Sequence, residues 1–194
     1  HAMAHADYAN AIGGGSYAGA LGSNAIATGA TALGVTSNAI GYGSVATGLD
    51  AVAVGTSAHA SGVNALAMGA ASSANADVSV AINTGSVEGL WTGSLPGVNA
   101  SAAGGVAMGA AASIGAGATA GIALGLGATV TGDAYQGVAI GMASYVGDAQ
   151  GIAIGGFGAR VVDGAYELRP TAAIGTGAVA IGLGSETFND NATA

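Results

Sequence analysis

Glycine recurs at every seventh residue through much of this chain. Gly41, Gly48, Gly55, Gly62 and Gly69 follow this spacing. The seven-residue units come in two alternating kinds, so the full repeat is about 14 residues long. A fixed short period is typical of solenoids, in which each repeat packs only on its neighbours. The spacing therefore limits the fold to a stack of small, similar coils.

The two kinds of unit both predict short β-strands. Residues 51–55 (Ala-Val-Ala-Val-Gly) alternate small and large apolar side chains, and residues 58–62 (Ala-His-Ala-Ser-Gly) alternate alanine with polar side chains. Period-two alternation indicates strands. A coiled coil is disfavoured, because each glycine in a helix interior would cost about 1 kcal/mol. We predict an all-β parallel β-solenoid, or β-roll, with two strands per coil and about ten coils.

The repeated glycines are predicted to lie where the chain turns or where two backbones approach closely. Nearby Asx residues are expected to serve turns as well, because their side chains bond to local backbone and tolerate left-handed geometry. These Asx residues are Asp50, Asn64, Asp77, Asp133 and Asp148. The predicted turn glycines are Gly41, Gly48, Gly55, Gly62, Gly69, Gly109, Gly125, Gly141, Gly155 and Gly182.

The first kind of unit has no polar face. Ala53 points one way while Val52 and Val54 point the other, and a strand that is apolar on both faces is covered on both faces. A two-stranded coil has only one interior, so we predict a homo-oligomer. The pattern leaves open whether the large residues fill the core or the seam between copies. They are Val52, Val54, Leu66, Met68, Val106, Met108, Ile122, Leu124, Val138, Ile140, Ile152, Ile154, Val179 and Ile181.

The repeat is interrupted near residues 84–104 and 156–172, which we interpret as loop insertions on the rod. Trp91, with Leu90 and Leu95, is a candidate ligand contact because tryptophan is enriched at binding hot spots; the alternative is that it pins its own loop. The second insertion holds both arginines, and an arginine there either contacts a ligand or pairs with a nearby carboxylate. The other candidate contacts are His59, Arg160, Tyr166 and Arg169.

The composition excludes several classes of function. The chain has no cysteine, two basic residues and a net charge of −8 at pH 7, so thiolate chemistry is impossible and nucleic-acid binding is not expected. The carboxylates are scattered singly, and no histidine has a base or orienting partner nearby in sequence, so we expect no metal, no cofactor and no enzyme activity. A hexapeptide-repeat acyltransferase would need a period of six. Residues 90–132 lack charge but are too rich in glycine for a membrane-spanning helix.

The repeats resemble the head domain of trimeric autotransporter adhesins, the YadA-like family of bacterial surface proteins. That family repeats Asn-Ser-Val-Ala-Ile-Gly followed by a Ser/Ala–x–Ala–x–Gly half-turn. The nearest copies are residues 64–69 (Asn-Ala-Leu-Ala-Met-Gly), 24–29 (Asn-Ala-Ile-Ala-Thr-Gly) and 79–83 (Ser-Val-Ala-Ile-Asn), and the full string does not occur. The resemblance extends from about Asp7 to Ala194.

The resemblance implies a left-handed parallel β-roll assembled as a homotrimer and carried to the cell surface on an outer-membrane anchor. It also implies a non-enzymatic adhesin head that binds extracellular-matrix proteins or cell-surface receptors. We interpret residues 1–4 as an expression scar and 5–194 as one head, with the family's neck, stalk and anchor outside this sequence. The alternatives are a self-association module, another structural β-solenoid, or an ice-binding solenoid that uses the polar column Thr47, Ser61 and Asn75.

Overall fold

Each repeat forms one two-residue strand and one three-residue strand, and each strand pairs in parallel with its equivalent in the next coil. The computed structural model describes residues 1–83, 97–162 and 165–194. Within this part of the chain the fold is all-β, a parallel β-solenoid, as predicted. Its described residues include no helix long and apolar enough to cross a membrane.

The described residues form two long parallel sheets, one of 12 short strands and one of 11 long strands. The short strands are Met3–Ala4, Tyr17–Ala18, Thr31–Ala32, Val45–Ala46, His59–Ala60, Ser73–Ala74, Asn99–Ala100, Ser113–Ile114, Thr129–Val130, Tyr145–Val146, Ala172–Ala173 and Glu186–Thr187. The long strands are Asn10–Ile12, Asn24–Ile26, Asn38–Ile40, Val52–Val54, Leu66–Met68, Val80–Ile82, Val106–Met108, Ile122–Leu124, Val138–Ile140, Ile152–Ile154 and Val179–Ile181.

Alanine fills most of the interior. In a typical coil the middle residue of the long strand and the second residue of the short strand point inward, as Ala53 and Ala60 do, and both are fully buried. Serines at the turns complete this interior. Ser72 is buried, and its hydroxyl donates a 2.8 Å hydrogen bond to the carbonyl oxygen of Gly69. The interior is therefore narrow, and the turns that enclose it accept hydrogen bonds from its buried hydroxyls.

The glycines of the repeat allow the coils to stack closely. A Cβ added to Gly48 would lie 1.9 Å from the carbonyl oxygen of Gly62, and one added to Gly62 would lie 2.0 Å from that of Ala76. The other eight predicted turn glycines have φ between +100° and +156°, a region that L side chains rarely adopt. The repeat thus requires glycine at some positions because the next coil leaves no room for a Cβ, and at others because φ is positive.

The coils widen in the second half of the rod. Thr131 and Gly147 are equivalent residues of adjacent coils and are 16 positions apart, whereas Ser61 and Asn75 in the first half are 14 apart. In the wider coils the interior alanine of the short strand is replaced by larger side chains, which are fully buried; they are Ile114, Val130 and Val146. The residue facing them is glycine, since a Cβ on Gly151 would lie 2.7 Å from Cγ1 of Val146. Each larger side chain on the short strand is therefore accommodated by a glycine at the position that faces it, so the interior stays close-packed.

The two predicted insertions are shorter than the sequence indicates. Residues 97–104 lie in the coil, where Val98 is buried and Asn99–Ala100 is a solenoid strand. In the second insertion, Gly158–Val162 and Ala165–Arg169 form an antiparallel hairpin. Ala172–Ala173 then rejoins the short-strand sheet beside Tyr145–Val146. Both interruptions fall between a long strand and the next short strand.

The packing of a larger interior side chain against a facing glycine can be tested by mutation. Gly151→Ala places a methyl group against Val146, so we expect it to lower the free energy of unfolding by about 1–3 kcal/mol. In a Val146→Ala background the same change should cost less, because the clash is removed. A double-mutant cycle by urea unfolding should give a coupling of about 0.5–3 kcal/mol. Additive effects within about 0.5 kcal/mol would contradict the packing of Val146 against Gly151.

Candidate functional site

The outward face of the long strands is the most uniform surface of the rod. The third position of every long strand carries isoleucine, valine, leucine or methionine, and the first position carries an aliphatic residue in the last eight. The fourteen residues predicted for the core or the seam all lie on this face, and each is half-buried or exposed in the single chain. Ile12 and Ile181, near the two ends of this sheet, are 61% and 56% exposed. The interior position of the long strands is thus occupied by alanine, and the large side chains of these strands point outward.

The first three coils interrupt this apolar face with stacked asparagines. The side-chain amide of Asn10 donates a 2.8 Å hydrogen bond to Oδ1 of Asn24, and that of Asn24 donates a 2.8 Å bond to Oδ1 of Asn38. Each amide also donates to the backbone carbonyl two residues earlier, at 3.1–3.3 Å. We call Asn10, Asn24 and Asn38 the asparagine block. Its amides are largely paired within their own chain.

The outward face of the short strands is mixed in polarity. Its first position carries, among others, tyrosine, threonine, valine, histidine, serine and glutamate. His59 lies here, half-buried, between Val45 and Ser73 of the adjacent coils. In the polar column beside this face, the hydroxyl of Ser61 donates a 3.3 Å bond to Oδ1 of Asn75. This face therefore resembles ordinary solvated surface more than the long-strand face does.

The hairpin is tied to the rod by an ion pair. The Arg169 guanidinium lies 3.2 Å from Glu167 of the hairpin and 3.5 Å from Glu186 of the next coil. The hydrogen bond to Glu167, followed by the charge of Glu186, raises the pKa of Arg169 above its ordinary value. Because these groups are partly exposed, their contribution to stability is small. Arg169 is therefore positioned to brace the hairpin, the alternative that the sequence left open for an arginine in this insertion.

The remaining predicted contact residues have little or no described geometry. Leu90, Trp91 and Leu95 lie in residues 84–96, outside the described part of the chain. Arg160 and Tyr166 lie in the two hairpin strands, where only their backbone is described. The role of these five residues in ligand contact therefore stays a prediction.

Several aspartates connect adjacent coils, a role that sequence reasoning missed. The backbone N–H of Val63 donates a 2.8 Å bond to Oδ1 of Asp77, and that of Thr176 donates a 2.8 Å bond to Oδ1 of Asp190. The N–H of Gly175 donates similarly to Asp148. The fourteen-residue spacing of Val63 and Asp77 is the signal that would have found these links.

Left-handed backbone is present at only some of the predicted Asx positions. Asp50 and Asn64 have φ of +55° and +56°, whereas Asp77, Asp133 and Asp148 are not among the left-handed residues. In the described ranges no three histidine, aspartate or glutamate residues cluster as a metal site would require. These aspartates are therefore best explained by turns and by links between coils, and Glu167 and Glu186 by their ion pair with Arg169.

Comparison with known proteins identifies the repeats. Residues 25–82 and 173–194 match the family model of the YadA head domain repeat, in five segments of which four overlap. These two stretches of the chain are therefore similar to the YadA head repeat. The sequence-based resemblance to the YadA-like head is thereby confirmed. Residues 83–172, which lie between the matched YadA segments, contain the wider coils and both insertions.

Among solved structures, one similar chain is described as the collagen-binding domain of the Yersinia adhesin YadA. It is 22% identical to this chain, the alignment covers 92% of this chain and 68% of that one, and the TM-score is 0.35. The superposition is loose, so the similarity to the YadA-like heads rests on the matched repeats. The comparison with curated proteins found no match.

The links between coils give a second test. Asp77→Ala removes the acceptor of the Val63 N–H, so we expect the free energy of unfolding to fall by about 0.5–1.5 kcal/mol. Asp133→Ala is the matched control, because Asp133 is exposed and makes no such link within the described chain; its effect should stay within about 0.5 kcal/mol. Equal effects of the two variants in thermal unfolding would refute the role of Asp77 in joining coils.

Proposed function

We propose that this chain is the head of a homotrimeric, non-enzymatic bacterial adhesin that binds matrix proteins or cell-surface receptors of a host. The YadA head repeats support an adhesin-type head. The observation that carries the proposal is the apolar outward face of the long strands. This face extends over 11 strands, and its positions are aliphatic or methionine except at the asparagine block.

A second copy of the chain is the partner that fits this face. Eleven strands at about 4.8 Å spacing give a stripe about 50 Å long with one side-chain row per coil. A rod with the same coil spacing presents matching rows over that whole length. A sheet that is apolar on both sides is typically covered on both sides, and the alanine interior covers only one. We propose three copies because the YadA-like heads are trimers.

The trimer would present each exposed surface three times. Linked sites gain apparent affinity of about 10²–10⁴-fold without any new contact, which suits adhesion through individually weak contacts. The short-strand face with His59 would remain on the outside of such an assembly. The cell surface, reached through an outer-membrane anchor, is the location proposed from the YadA-like repeats.

The seam is tested by the mass of the assembly. Wild type should elute in size exclusion with light scattering at three times the chain mass of 17.7 kDa. Ile140→Asp places a charge on the apolar face without touching the interior, and should yield folded monomers. Thr129→Asp, on the outward face of the short strands, is the matched control and should remain trimeric. A trimeric Ile140→Asp variant, or a monomeric wild type, would disprove the seam.

Binding is tested on immobilised collagen, the ligand named for the solved YadA domain. Wild type should bind, and the monomeric Ile140→Asp variant should lose about 100-fold or more in apparent affinity because avidity is lost. If trimeric wild type does not bind collagen, collagen is excluded as the ligand. If wild type and the monomeric variant bind with equal apparent affinity, avidity is excluded.

The same assay separates the insertions from the coils. Deletion of residues 85–96 shortens the interrupted pair Ser73↔Asn99 to the spacing of the neighbouring coils, and deletion of residues 158–170 does the same for Tyr145↔Ala172. Loss of collagen binding in a deletion variant that is still trimeric would assign contact to that insertion. Full binding by both variants would assign it to the coil surface and would refute the candidates Leu90, Trp91, Leu95, Arg160, Tyr166 and Arg169.

A further inference from the structure

A seam built from repeated coils has a register problem. A copy displaced along the rod by one coil meets nearly the same aliphatic rows that it left, because equivalent residues recur at every coil. A displaced contact joins different parts of two identical chains. Such a contact does not close into a ring and leads to open, growing assemblies. A closed trimer therefore needs a feature that distinguishes one coil from the next.

The asparagine block is such a feature. Asn10, Asn24 and Asn38 occupy the first long-strand position in three successive coils at one end of the rod, and the next eight long strands carry valine, leucine or isoleucine there. The change from asparagine to aliphatic occurs once, between Asn38 and its ladder partner Val52. The two columns of the face are otherwise apolar throughout the described chain.

We propose that the asparagine block fixes the axial register of the copies in the assembly. This inference rests on the proposed seam. In the aligned assembly each asparagine lies beside its equivalents. A displacement of one coil brings an asparagine against an aliphatic row and leaves an aliphatic row uncovered at the other end of the seam. A single polar residue in an apolar seam specifies register in coiled coils for the same reason.

The hydrogen bonds within the block make this role compatible with burial. Asn24 uses its Oδ1 to accept from Asn10 and its amide to donate to Asn38 and to the carbonyl oxygen of Gly22. Its polar atoms therefore do not depend on water, and burial against another copy does not strand them. At the two ends of the block, Oδ1 of Asn10 and the second amide N–H of Asn38 have no partner within the described chain. An asparagine of another copy can pair with them and an aliphatic row cannot, so the aligned arrangement is favoured over the displaced one.

The test removes the block and then moves it. Asn10→Val, Asn24→Val and Asn38→Val together make the column aliphatic from end to end, in strands that tolerate β-branched residues well. In size exclusion with light scattering we expect loss of the single trimer peak and a broad distribution of heavier species. Thr31→Val, His59→Val and Ser73→Val, on the short-strand face, form the matched control and should keep the single peak.

A second variant separates the position of the block from the mere loss of asparagine. In the triple-valine background, Val138→Asn, Ile152→Asn and Val179→Asn rebuild a ladder in three successive coils at the other end of the rod. This variant should recover the single trimer mass. Circular dichroism and thermal unfolding verify that each variant remains folded.

The outcomes separate the register role from the seam itself. A trimeric wild type with an unchanged triple-valine variant overturns the register role alone. Heavier species that persist after the block is moved also overturn it, because they show an effect of sequence change and not of register. A monomeric wild type overturns the seam and the register role together.

Discussion

Parallel hydrogen bonds hold successive coils about 4.8 Å apart, and this short distance determines which residues the repeat accepts. At Gly48 the carbonyl oxygen of the next coil occupies the space that a Cβ would need. The same distance stacks equivalent side chains directly above one another, so each position of the repeat becomes a column along the rod. The Asp77 link and the asparagine ladder are both consequences, since each joins positions 14 apart.

The narrow interior determines the outer surface. The shorter coil has room inside only for methyl groups such as those of Ala53 and Ala60. The large side chains of the same long strand therefore point outward. Where the coil widens, Val130 fits inside because glycine faces it. Even there Val138 and Ile140 stay outside. The apolar face therefore lies outside in both sizes of coil, because widening the interior does not bring it in.

The period of the glycines was sufficient to predict the solenoid, its two strands per coil and its parallel pairing. Alternation alone did not decide which side of Val52–Val54 faces inward, because both sides are apolar and only the diameter of the closed coil distinguishes them. The glycines of residues 97–104 fall out of the seven-residue spacing and so predict an insertion there, although Asn99–Ala100 keeps the strand pattern. The Arg169 brace depends on Glu186, a contact across the interrupted register that local sequence does not reveal.

In the proposed assembly, the asparagine block lowers the affinity between copies and favours a single register. A uniformly aliphatic column would bury more apolar surface between copies, and by the area term alone valine would be preferred at residues 10, 24 and 38. The same uniformity would make every displacement by a coil almost equal in free energy. Confining three polar residues to one end makes the aligned arrangement distinct, and their bonds to one another limit what the exchange costs in stability. A longer rod of identical coils has more near-equivalent registers, so the need for such a block grows with the number of coils.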